Sequence, residues 1–252
     1  MKYRALTYLA ALVGAAFAAT AASAGEPRAV IELFTSQGCS SCPPADKLLS
    51  DLARDPTLVT MTLPVDYWDY LGWKDTLALH GHTNRQRAYS QARGDREVFT
   101  PQVVVNGVLH VLGSDRAAIE RAIAQSREGT VKPLALAVTM KVADGEVTVN
   151  VPAVAGQAGS AEVWLCPITA SAPVAVGRGE NSGRTIVYSN VVRSWRKLGV
   201  WTGKAETFTV ALSDLSAANG PPGDIDRLAV IVQSGVAAKP GVMLGAAETN
   251  LR

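Results

Sequence analysis

The chain has 252 residues, 24 Lys+Arg against 22 Asp+Glu for a net charge of +2, and three cysteines. A charge so nearly balanced, with no long basic run, excludes the electrostatics of a nucleic-acid or anionic-membrane binder. Three cysteines are too few for a disulfide-stapled scaffold.

The start, Met1-Lys2-Tyr3-Arg4, leads into an apolar run from Ala5 to Thr20 and then Ala22-Ser23-Ala24, the charged, apolar and small-residue parts of a signal peptide with cleavage expected after Ala24. Its removal takes Lys2 and Arg4 and leaves 22 basic against 22 acidic residues. No later stretch reaches the roughly 18–20 apolar residues of a membrane span. An exported chain, periplasmic or secreted, is expected, with no membrane span after signal removal and room for two ordinary domains.

Ala29 to Thr35 reads as a buried strand, Ser36-Gln37-Gly38 as a turn, and about Ser41 to Ala53 as a helix with Pro43 and Pro44 in its first turn, where missing N–H groups cost nothing. Between turn and helix lies Cys39-Ser40-Ser41-Cys42. The free N–H groups and positive dipole end of a helix stabilise a thiolate, so a cysteine placed there becomes a nucleophile. A second cysteine three positions on can attack the resulting mixed disulfide and release the partner. Cys39 is therefore expected to be the more exposed, attacking thiol and Cys42 the resolving one. In an oxidising compartment the two would be mates, leaving Cys166 unpaired. An inert bridge is the plainer alternative, although closing about four residues yields only roughly 2 kcal/mol.

Leu58 to Val65 alternates as a second strand, and strand–helix–strand implies parallel pairing. The next stretch, Asp66-Tyr67-Trp68-Asp69-Tyr70 with Trp73 and an expected helix from Thr83 to Arg93, is too long for a plain connection and reads as an insertion over the dithiol. Tyr67, Trp68, Tyr70 and Trp73 are candidates for a substrate groove, with packing of the inserted helix as the alternative. Asp66 is a candidate proton relay to Cys42, a helix cap being the competing role. His80 and His82 flank Gly81 in an expected loop, and their spacing does not join them to the cysteines as a Cys2His2 metal site. His110 reads as a surface or hydrogen-bonded residue. Thr100-Pro101 then opens an apolar run that turns at Asn106-Gly107, a strong hairpin signal, and Ser114 to Ala124 closes as a helix with Ser114 as its N-cap.

This order, with the CxxC at a helix start and Thr100-Pro101 entering an Asn-Gly hairpin, resembles the thioredoxin fold, and Thr100 to Ser114 is similar to glutaredoxins. The resemblance implies that Pro101 is a cis-proline against the cysteines and that Thr100 presents its backbone to substrate. With Gly38-Cys39-Ser40-Ser41-Cys42-Pro43-Pro44-Ala45-Asp46, Val65 to Asp75, Arg85 to Tyr89 and Thr100-Pro101-Gln102 included, the mature chain resembles the secreted thioredoxin-like family catalogued as domain of unknown function 1223, whose name assigns no activity.

Beyond about residue 131, Leu134 to Val142 alternates and turns at Asp144-Gly145 into Val147 to Val151. Ala161 to Thr169, Thr185 to Val192, Ala205 to Leu212, Arg227 to Gln233 and Val242 to Thr249 read as further strands. Cys166 is expected to be a buried, inert thiol. The loop Gly177 to Arg184 lacks a P-loop ending and reads as a strand connection, with a contact to the first domain as its candidate role. Arg193, Trp195, Arg196 and Lys197 form a small basic patch expected at a solvated strand edge.

The expected architecture is an α/β thioredoxin-like domain over residues 25–130, a mixed sheet flanked by helices with a helical insertion before the cis-Pro, followed by an all-β immunoglobulin-like sandwich over 131–252. The expected activity is thiol–disulfide exchange with a redox partner protein or small thiol through Cys39 and Cys42. A non-catalytic binding protein or a metal–thiolate carrier on the same scaffold is the alternative. No cofactor motif and no metal site is read, and nothing specifies an oligomeric state.

Overall fold

The first strand, β1 (Ala29–Thr35), is buried over its whole length, and alternate residues serve different faces of the sheet. Ala29, Ile31 and Leu33 pack with α1 (Pro43–Leu52) and α3 (Arg116–Ser126), whereas Val30 and Phe34 join a second core that includes Tyr89 of α2 (His80–Arg93). The computed structural model describes residues 26–155, 159–215 and 225–251, so the expected leader, residues 1–24, lies outside the described residues.

β2 (Leu58–Pro64) runs parallel to β1, and β3 (Gln102–Val105) and β4 (Leu109–Leu112) follow antiparallel on the other side. The β3–β4 turn has Asn106 and Gly107 at φ 52° and 77°, the left-handed conformation that Asn-Gly supplies at low steric cost. A Cβ at Gly107 would stand 2.4 Å from the Gly241 carbonyl, so this turn also needs glycine for a close backbone approach.

The C-terminal half contributes β5 (Thr139–Ala143), β6 (Glu146–Val151), β7 (Ala161–Ala175), β8 (Thr185–Val192), β9 (Arg196–Trp201), β10 (Glu206–Ala211), β11 (Arg227–Val236) and β12 (Lys239–Asn250). Five of them, β7, β8, β9, β11 and β12, join the N-terminal strands: β8 lies along β2, and one nine-stranded mixed sheet runs β12-β11-β7-β8-β2-β1-β3-β4, with β9 also on β7. The join is polar. Thr62 Oγ1 donates to the Ser189 carbonyl, Asn190 Nδ2 donates to Thr60 Oγ1 at 2.8 Å, and Ser189 Oγ donates to Ser50 Oγ of α1 at 2.8 Å. Thr60 and Thr62, which alternate with apolar residues as a water-facing row would, are instead buried against β8.

A separate three-stranded sheet, β10-β6-β5, covers one face of β7, β11 and β12. Residue parity again divides the work: Val163 and Leu165 face this sheet, while Cys166 and Ile168 face the core shared with Phe34 and Met61. The molecule is thus a mixed α/β sheet flanked by three helices and continued into a β-rich region.

Several boundaries move for local reasons. α3 starts two residues later than expected because Asp115, not Ser114, is its N-cap and accepts from the Ala118 N–H at 2.9 Å. α2 starts at His80, so His80 and His82 lie in a first helical turn and not in a loop. Leu134 to Val138 is buried alternately but is not strand; the Leu134 and Leu136 N–H groups bond to Met243 and Leu244 carbonyls. The basic stretch Arg196–Lys197 opens β9, where Lys197 pairs with Glu162 and Arg196 with Asp214.

Candidate functional site

β1 delivers the chain to the dithiol, and the turn after it brings the Cys39 N–H to the Ser36 carbonyl at 3.1 Å. Cys39 and Cys42 form a disulfide with their Cα atoms 5.4 Å apart. Cys42 is the N-cap of α1, its carbonyl accepting from the Ala45 and Asp46 N–H groups, and Pro43 and Pro44 begin the helix. Ser41 Oγ lies 3.4 Å from Cys39 Sγ.

The expected difference in exposure between the cysteines is absent: Cys39 is 1% and Cys42 0% exposed. The C-terminal half supplies the cover. From the loop between β7 and β8, Asn181 Nδ2 donates to the carbonyls of Gln37 at 3.0 Å and Cys39 at 2.9 Å, and Glu180 Oε2 accepts from the Ser40 N–H at 3.3 Å. Trp73 supports this loop: a Cβ at Gly177 would meet its ring at 3.0 Å, and its indole N–H donates to Gln37 Oε1 at 2.8 Å.

Beside the disulfide lies a buried polar cluster. Asp46, one turn beyond Cys42 on α1, accepts from Thr35 Oγ1 at 2.7 Å through Oδ1, and its Oδ2 has no hydrogen-bond partner. Burial pushes its pKa up to about 8, against the Thr35 bond and with a further upward push from Asp75, so it is mainly protonated at neutral pH. Asp75, raised by burial to about 6, accepts the Gln37 N–H at 2.8 Å and the Leu77 N–H at 2.8 Å. The buried Tyr188 hydroxyl of β8 also lacks a partner, and burial together with the nearby Asp46 and Asp75 raises its pKa.

The other residues singled out in the sequence fall into two groups. Near the dithiol turn, Trp68 donates from Nε1 to Thr100 Oγ1 at 2.8 Å, and a Cβ at Gly38 would stand 3.0 Å from its own Cβ. The Thr100–Pro101 peptide bond is cis. Gly113 brings Pro101 near Ala45 of α1, since a Cβ there would lie 3.2 Å from one and 3.3 Å from the other. Tyr67 and Trp68 pack on the core shared with α2, while Tyr70 stands 78% exposed.

Asp66, just after β2, faces the first turn of α2. It accepts from Thr83 Oγ1 and lies 2.8 Å from His80 Nδ1; burial opposes its ionisation, but these two partners hold its pKa below the usual value. The buried carboxyl beside Cys42 is Asp46. Its sequence signal was available, an acid four residues after Cys42 on one helix face. Asn181 had no local signal, because its partners are more than 140 positions away.

Buried Cys166 lies in the shared core, where burial raises its thiol pKa. His82 is buried, its Nδ1 3.0 Å from the Pro64 carbonyl, and burial lowers its pKa to about 4. Among the described residues no group of three or more His, Cys, Asp or Glu side chains is arranged to hold a metal, and no helix is long and apolar enough to cross a membrane.

A family model described as "Protein of unknown function (DUF1223)" matches residues 30–233. No curated protein matches the chain. Among solved structures, the chain is similar to the crystal structure of a protein of Agrobacterium tumefaciens determined as a structural-genomics target, with 32% identity over 88% of this chain and 93% of that one and a TM-score of 0.76.

Proposed function

We propose that this chain, which belongs to the DUF1223 family, is an exported thiol–disulfide exchange protein on a thioredoxin-like scaffold, acting on a protein or small-thiol partner. The carrying observation is the Cys39–Cys42 disulfide at the start of α1 with a buried, unpaired carboxyl one turn away. The strand order β2-β1-β3-β4, parallel only in its first pair, with α1 and α3 on one face and α2 on the other, supports the scaffold. The β-rich region, with a three-stranded sheet facing β7 and β11, supports a sandwich-like second half.

The chemistry follows from position. A partner thiolate attacks Cys39 Sγ, the S–S bond breaks, and Cys42 leaves as a thiolate that takes the proton of neutral Asp46. Attack by a second partner thiol on the mixed disulfide releases Cys39 as a thiolate stabilised at the helix start, leaving the partner oxidised by two electrons and the pair reduced. In the opposite direction ionised Asp46 accepts the Cys42 proton and the reduced pair opens a partner disulfide. Thr100 and Pro101, at the entrance to β3, are proposed to line the partner's approach.

A redox titration of the mature protein against glutathione, with alkylation read at Cys39, Cys42 and Cys166 by mass spectrometry, tests this reading. A reversible Cys39/Cys42 couple between about −270 and −120 mV is expected. A pair still oxidised below about −300 mV overturns it in favour of a structural bridge in a non-catalytic binding protein. That second reading draws on the burial of both cysteines.

A further inference from the structure

The loop over the disulfide is well formed in itself. The Val176 N–H bonds to the Arg184 carbonyl and the Gly183 N–H to the Val176 carbonyl, both at 2.9 Å, while Ser182 and Arg184 N–H groups bond back to Gly179 and Asn181 carbonyls. Gly179 and Gly183 take φ of +80° and +77°, which lets so few residues close. From Gly177 to Arg184 every residue is exposed except Asn181, which is 0% exposed.

A short amide buried at the tip of an exposed loop calls for a reason, and its bonds supply one. Both N–H groups of Asn181 are committed to the carbonyls of Gln37 and Cys39, the backbone on either side of Gly38 and leading into the attacked sulfur, and Arg184 donates to its Oδ1 at 3.3 Å. Beside it Glu180 places a carboxylate on the Ser40 N–H, an amide inside the Cys39–Cys42 loop and next to Cys39. Closed, the loop is bonded to the backbone of the buried Cys39 and sets an anion on the amide that follows it.

We propose that the β7–β8 loop is a gate on the dithiol and that Asn181 is its latch, a positioning residue that holds the Gln37–Cys39 turn shut until a partner displaces the loop. The gate has a purpose only if the pair exchanges, so it rests on the reading above. An incoming polypeptide has backbone N–H groups with which to replace the two Asn181 bonds, whereas dithiothreitol has none. The closed protein therefore resists the small reagent.

The test is the rate at which dithiothreitol reduces Cys39–Cys42 in the full mature chain, followed by quenched alkylation and mass spectrometry. In that reaction the reagent's thiolate attacks Cys39, its second thiol closes the reagent to a cyclic disulfide, and the protein gains two electrons and two protons. Asn181→Asp keeps the side-chain size and removes both donors. Reduction at least tenfold faster than in the wild type is expected, with Cys166 remaining unlabelled as a report that the core is closed. Rates within twofold of the wild type, with Cys166 protected, overturn the gate. If Asn181→Asp exposes Cys166, Asn181→Ala, which removes the donors without adding a charge, decides on the same readouts.

The glutathione potential separates the two proposals. Faster reduction in the variant with a couple more reducing than the exchange range keeps the gate and removes the exchange function; an unchanged rate with a couple in the exchange range does the reverse.

Discussion

The protein buries acidic side chains on both faces of its sheet near β1 and treats them in opposite ways. On the α2 face, Glu32 is fully buried and completely partnered: Arg85 Nε donates at 2.6 Å and the Tyr89 hydroxyl at 2.6 Å. Arg85 in turn lies 4.2 Å from the Trp195 ring centroid and 4.9 Å from that of Tyr89, and donates to Gln233 at 2.8 Å. Burial works against the Arg85 charge, but Glu32 more than offsets it and raises the pKa. Beside the dithiol, Asp46 has a threonine, an orphan oxygen and a second carboxyl as neighbours, with no cation among its hydrogen-bond partners. The first arrangement ties α2 and β11 to β1; the second leaves a protonated carboxyl one helical turn from Cys42. A buried charge that is paired reads as architecture, and one left unpaired reads as chemistry.

Removing one member of each cluster should therefore give effects of opposite sign. Arg85→Met leaves Glu32 buried without its cation and is expected to cost about 3–5 kcal/mol in urea unfolding. A loss below about 1 kcal/mol would mean that Glu32 tolerates the loss of its cation, and the contrast would fail.

Asp46→Asn should stabilise instead. A raised pKa in the folded state means that the native protein holds a proton the unfolded chain releases, so wild-type stability declines as pH rises from about 4, the unfolded value, to about 8. The asparagine variant lacks this decline. Near neutral pH it is expected to be more stable by on the order of a few kcal/mol, with the two proteins converging at low pH. Asp75, raised to about 6, retains its own shallower loss between about pH 4 and 6 in both proteins. If Asp46 carries the Cys42 proton as proposed, the same substitution should slow exchange by about a hundredfold, the lower range for a general acid or base. A variant more stable and equally fast would leave Asp46 without a role in exchange.

The contrast also bears on what a sequence can reveal. β1, β2, α1 and the Asn106–Gly107 hairpin were legible because periodicity and turn chemistry act over a few residues. What Thr60 and Thr62 face was not legible: alternation sets out two rows, not whether water or β8 satisfies the hydroxyls of one of them. The patch read from Arg193, Trp195, Arg196 and Lys197 divides: at the start of β9 Arg196 stays half-buried and Lys197 exposed, whereas Arg193 is buried and Trp195 packs on the shared core. At the site, Cys39 and Cys42 were evident from spacing. Asp66 was the acid singled out as a relay, and packing gave it to His80 and Thr83 and placed Asp46, which had not been singled out, dry on the dithiol side. The bonds from Asn181 to the backbone of the buried Cys39 span more than 140 positions, a contact no local pattern encodes.

The smallest effect tests whether the two halves act on the dithiol as one device. Gln37 is where they meet: its N–H goes to Asp75, its Oε1 takes the Trp73 indole N–H, and its carbonyl takes Asn181. Trp73→Phe keeps a ring under Gly177 and removes one hydrogen bond, about 1 kcal/mol or roughly a fivefold faster reduction by dithiothreitol if that bond helps to hold the gate. Combining it with Asn181→Asp gives a double-mutant cycle. If Trp73 acts only through the closed loop, the phenylalanine adds little once the latch is gone, and the coupling is close to its whole single effect. Full additivity would instead place Trp73 in the packing of its own segment, with Gln37 held by two independent neighbours. The gate would then consist of Asn181 and its loop alone, and the N-terminal insertion would have no part in controlling access to Cys39.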